Sequence, residues 1–169
     1  SKLVEGPILE GDERFTISFK DNEMMPGLAL SRIVNKNYSL KGETNERIAL
    51  LAVSNLNLIY LQHHQSKFKK KQNMLKTFFI NTNKFFINDL NKQKIQTFDS
   101  LMYALDALAA LSYDDRRFYF DPINKYYLPI YYDGKSKIMN QKRQFSLEYL
   151  SAHSSVDAKA GAENAIKLI

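Results

Sequence analysis

The chain has 169 residues, 44% of them hydrophobic and 25% charged, and no cysteine. This composition describes one globular domain that buries about two-thirds of its unfolded surface, and it excludes disulfides, zinc–thiolate sites and thiol catalysis. The formal charge is +6, but Ser66 to Gln96 holds eight lysines against one acid, net +7, so the remaining 16 basic and 17 acidic residues stand at −1.

No apolar run approaches the roughly 20 residues of a membrane span. "SKLVEGPILEGDERF" lacks the basic-then-apolar order of a signal peptide. The chain does not begin with Met, which fits a processed product or part of a longer protein. In "RFTISFK", Phe15, Ile17 and Phe19 alternate with polar residues, the period-2 pattern of a half-buried strand. Strands are expected at Leu3–Val4 and Arg14–Lys20, with Gly6, Pro7 and Gly11 as turn residues between them. "MMPG" is a second break.

A helix is expected from about 44 to 62. Thr44 or Asn45 caps it, and Glu46 in its first turn suits the helix dipole. Its apolar residues, Leu50, Val53, Leu56 and Leu61 among them, spread round the cylinder, which predicts burial on most sides. In the basic element 66–96, "FFIN" recurs after seven residues, two helical turns. One helix stacks both copies on a face; two short strands joined by "TNK" are the alternative. The lysines form either a solvated face or a surface that attracts phosphate polymers, anionic lipid or a protein partner. Nucleic acid is disfavoured, because the phenylalanines read as core-facing rather than as stacking platforms.

"TFDSLMYALDALAAL" predicts a helix over 97–111, with Thr97 as N-cap and Asp99 in the first turn. Arg116–Phe120 and Tyr127–Tyr132 read as strands joined by "DPINKY", in which Asn124 takes the left-handed position. Pro129 argues for an edge strand or a bulge. "SLEYLSA" and "SSVDAKAGAENAIKLI" predict closing helices. The expected fold is a single mainly helical α+β domain with a central aromatic hairpin. Its parts are short strands and loops over 1–40, helices over 43–111, an acidic loop and hairpin over 112–134, and helices over 145–169.

Adjacent His63 and His64 point about 100° apart on a helix, so they do not make an i, i+4 metal pair. GxSxG, GxGxxG and P-loop patterns are absent. The acids round the hairpin remain. Asp114 and Asp115 precede its first strand and Asp133 follows its second. If the strands pair, Asp115 and Asp133 meet at one end, and two carboxylates without thiols suit a hard ion such as Mg²⁺. An ordinary loop and turn are the plainer reading of the same residues.

The order helix, acidic loop, strand, tight turn, strand, Asp-Gly resembles the catalytic core of protein-kinase-like folds. "RRFYFDPINKYYLPIYYDG" resembles the corresponding segment of CotH-type kinase-like proteins. The resemblance spans roughly Leu101 to Lys137, about a fifth of the chain. It implies the C-lobe part of a kinase-like fold that binds ATP and Mg²⁺, acts on a protein substrate and works outside the cell or at its surface. It implies Asp115 and Asp133 as metal ligands, Asp114 as the base, and Lys20 with Glu43 or Glu46 as the lysine–glutamate pair that holds the nucleotide. The kinase pattern puts the base about five residues before the second metal ligand, where this chain has Ala110. The function implied is therefore a phosphotransferase or an inactive relative; the alternative is a non-enzymatic module that docks through 66–96.

Overall fold

The structure, a computed structural model, describes residues 4–17, 28–68, 89–111, 115–136 and 156–166. Its elements in chain order are β1 (Ile8–Ile17), β2 (Leu28–Ile33), a 3-10 turn (Lys36–Lys41), α1 (Glu43–Phe68), α2 (Asp89–Ala104), a second 3-10 turn (Leu108–Leu111), β3 (Arg117–Asp121), β4 (Tyr126–Ile130) and α3 (Val156–Ile166). The class is mixed α+β. The strands form one antiparallel four-stranded sheet in the order β2-β1-β3-β4.

Strand alternation builds the core. Phe118 and Phe120 point to the inner face of β3, while Arg117 and Tyr119 point outward. Leu9 pairs with Phe118, and Phe120 with Tyr127. Onto this face α1 lays Ala52, Leu56 and Tyr60, and α2 adds Ile95. A smaller cluster holds Met102, Tyr103, Ala107, Ala110 and Leu111. The third helix crosses α2 closely: a Cβ on Gly161 would stand 1.9 Å from the Gln96 carbonyl oxygen and 2.4 Å from Ser100 Oγ.

Several boundaries differ from the sequence expectation. The first strand begins at Ile8, so Ile8 to Asp12 of "EGPILEGD" lie in the ladder rather than in a turn. The hairpin is therefore half of a four-stranded sheet and not a lone central element. The first helix runs to Phe68, and Leu50, Leu51, Leu58 and Leu61 on it are exposed. The second helix starts at Asp89, leaving Thr97 inside it rather than at its cap, and it stops at Ala104 instead of 111. Asp106 takes a left-handed φ of 50° just beyond that end, a conformation that does not continue a right-handed helix.

The hairpin strands are each shifted by one residue at their start from the expected ranges. In the turn, Lys125 rather than Asn124 is left-handed, with φ 56°. Pro129 lies on β4, which is an edge strand as its missing donor requires. The "FFIN" repeats, "MMPG", "SLEYLSA" and residues 18–20 fall outside the described residues. Among the described residues no helix is long and apolar enough to cross a membrane.

Candidate functional site

The β3–β4 turn is held by one carboxylate. Asp121 Oδ1 accepts from the amides of Ile123 (2.9 Å) and Asn124 (3.0 Å), and Oδ2 accepts from Asn124 Nδ2 (2.9 Å). Burial raises the pKa of this carboxyl, but the Asn124 and Ile123 hydrogen bonds and the nearby Lys94 outweigh it, so it titrates below its ordinary 3.8. With the turn fixed, the register follows as Asp121↔Tyr126 through to Arg117↔Ile130.

That register governs the far end. Asp115 lies two residues before Arg117 and Asp133 three after Ile130, so the chain brings both acids to the same end of the hairpin. Asp115 is half-buried and Asp133 is exposed. Asp133 has a left-handed φ of 40° and Lys135 one of 50°. Gly134 between them is buried: a Cβ there would stand 2.6 Å from the Tyr131 ring and 3.0 Å from Ala107. The glycine lets the strand end turn tightly against the 3-10 segment. Lys135 Nζ stands 3.9 Å from Asp133 Oδ2, both exposed, a contact that contributes little in water.

Two polar constructions flank this end. On the inner side, Arg116 donates from Nη2 to Asp99 Oδ1 on α2 at 2.6 Å, with side chains 1% and 2% exposed. The guanidinium carbon lies 5.3 Å from the centre of the Phe118 ring. Eight residues earlier on the same helix, Asn91 donates from Nδ2 to the Tyr127 carbonyl oxygen at 2.8 Å. On the outer side, the buried Glu10 accepts from Arg32 Nη2 (3.2 Å) and Arg117 Nη2 (2.8 Å), its partners in register on the two neighbouring strands. The Arg117 guanidinium then lies 3.3 Å over the Tyr132 ring, next to Asp133.

Of the residues expected to form a site, Asp115 and Asp133 share the hairpin end. Glu46 lies elsewhere, exposed in the first turn of α1. Lys20 and Asp114 are outside the described residues. Ala110, where the kinase pattern puts its base, is buried in the second cluster. Asp99, Arg116, Asn91 and the Glu10 network were not anticipated. The one signal available for them was the outward position of Arg117 opposite Phe118 in an alternating strand. Nothing local marks Asp99 as a buried partner, since an acid seen as the start of a helix is already accounted for.

As a donor set, two carboxylates fit a hard divalent ion that completes its shell with water and ligand phosphate, the way Mg²⁺ is usually held. Among the described residues no group of three or more His, Asp or Glu side chains could hold a metal by itself. No family model, curated protein or solved structure matches the chain.

Proposed function

We propose that the chain is a kinase-like protein of the CotH type that binds Mg²⁺ and ATP at the hairpin end, either as a phosphotransferase acting on a protein or as an inactive relative. The observation that carries this reading is the β3–β4 register, which brings Asp115 and Asp133 to one end of the hairpin. In it, Asp115 and Asp133 hold the ion. The ion would neutralise the charge of the phosphates, which is the largest electrostatic requirement of phosphoryl transfer. Lys20 belongs to the nucleotide side of the reading and Asp114 is its candidate base; Glu46, away from the hairpin end, takes no part in it. The buried Ala110 favours the inactive form, because an alanine there moves no proton.

Calorimetry with Mg²⁺ and ATP tests the proposal. Saturable heat from the wild type that Asp133→Asn abolishes is the expected result. A wild type that takes up neither ligand sinks it. Exposed Lys92 and Lys94 on the outer side of α2 favour the second reading, docking through the basic element 66–96. A protein that ignores Mg²⁺ and ATP but binds an anionic polymer more weakly as salt rises supports that second reading instead.

A further inference from the structure

One helix grips both strands of the hairpin at two buried points. Asn91 holds the Tyr127 carbonyl on β4, and Asp99 holds Arg116, the residue before β3. Along α2 the two points are eight residues, about 12 Å, apart. The ladder ends at Arg117↔Ile130, so Arg116 stands just past its last pair, at the end of the hairpin away from the turn. So α2 runs alongside β4, with Asp99 at the end where Asp115 and Asp133 lie.

The second grip is a poor stabiliser. Both side chains are out of water, and an apolar pair of similar volume at such a place is commonly as stable or more so. The guanidinium is also incompletely used, because its Nε and Nη1 are buried and meet no acceptor among the described residues. Orphaned buried donors are costly. What an ion pair supplies that an apolar pair does not is direction. A guanidinium bonded at 2.6 Å to a carboxylate on a packed helix tethers residue 116 to α2 in one direction. The neighbouring residue is Asp115.

We infer that Asp99 and Arg116 are positioning residues for the cation-binding hairpin end: their buried pair sets the orientation of Asp115 relative to Asp133, and the fold does not depend on it. This role rests on the cation reading above. It needs no new ligand, only that removing the pair weakens the ion's hold while the domain stays folded. Loss of a hydrogen-bonded support behind a metal ligand typically weakens metal affinity 10–100-fold.

The test uses the full chain and Mn²⁺ as a paramagnetic probe, read as broadening of the backbone NMR signals of Asp115 and Asp133, beside thermal unfolding of each protein. Asp99→Leu combined with Arg116→Met is expected to keep the wild-type melting temperature and to bind Mn²⁺ about tenfold more weakly. Arg116→Lys keeps the charge but loses the planar fork, and it is expected to bind more weakly than wild type with the fold intact. If the apolar pair folds and binds Mn²⁺ as wild type does, the positioning role is overturned. If that variant does not fold, independence of the fold is overturned, and wild-type affinity in Arg116→Lys removes the role altogether. A wild type whose Asp115 and Asp133 signals are untouched by Mn²⁺ overturns the cation reading and this inference with it. The two failures are thus told apart by the wild-type titration.

Discussion

Tyr127 ties the sheet to both helices that cover it. Its ring lies edge-on to Phe118 at 5.8 Å and tilted against Phe120 at 5.1 Å. Its hydroxyl donates to the Ala52 carbonyl of α1 at 2.6 Å, and its own carbonyl is taken by Asn91. Burial first, then the neighbouring Tyr60, pushes the phenol well above its ordinary 10.0, against a smaller opposing effect of the Leu56 backbone. The folded protein therefore holds this proton more tightly than the unfolded chain does. The associated stability is complete below pH 10.0 and is lost as pH rises above it. Tyr127→Phe is expected to cost about 1 kcal/mol at neutral pH, the worth of one hydrogen bond, and to make the alkaline fall in stability shallower. Urea unfolding from neutral to alkaline pH checks both; an alkaline slope equal to wild type shows that this phenol is not the group responsible. At this scale the hairpin acids were legible, because strand and turn signals are local and fix which residues flank the ends. Asp99 with Arg116 was not legible. The two are 17 residues apart, and only the packing of α2 on the sheet brings them into contact.

Among the elements, α2 departs most from expectation. Leu101 is exposed, and the buried face of α2 carries Asn91, Ile95, Gln96, Asp99, Met102 and Tyr103. Half of that face is polar, so hydrophobic periodicity alone did not mark it, and Leu105 and Leu111 pack in the second cluster beyond the end of α2. The polar half is what meets the hairpin backbone, Arg116 and α3. Gly161 tests how close the helix crossing is. In an exposed helix Gly→Ala stabilises by about 1 kcal/mol through propensity alone. Here the new Cβ meets backbone at 1.9 Å, which the neighbouring helix cannot vacate by a rotamer change. Gly161→Ala is therefore expected to destabilise by about 1–3 kcal/mol, the cost of overpacking. A urea midpoint equal to or above wild type refutes the close crossing.

For the whole molecule, the lesson lies in α1. Its sequence is apolar nearly all round, which predicts burial on most sides. One face, with Ala52, Leu56 and Tyr60, meets the sheet, while Leu50 (60% exposed) and Leu58 (53%) stand on the other side. Leu50→Lys together with Leu58→Lys is expected to shift the unfolding free energy by no more than about 0.5 kcal/mol per site, as for ordinary surface positions. A loss of several kcal/mol, measured by urea titration, means that this face is packed. The sequence by itself determined the mixed class, α1, the hairpin, the edge position of Pro129 and the places of Asp115 before the hairpin's first strand and Asp133 after its second. All of these follow from local propensity, turn chemistry and proline's missing donor. The tertiary structure alone decided that β1 and β2 extend the hairpin into one sheet, that Thr97 lies inside α2, and that Asp99 is spent on Arg116 rather than on a helix end. Strand order and buried ion pairs arise from which surfaces meet, and no local pattern in the chain encodes that meeting.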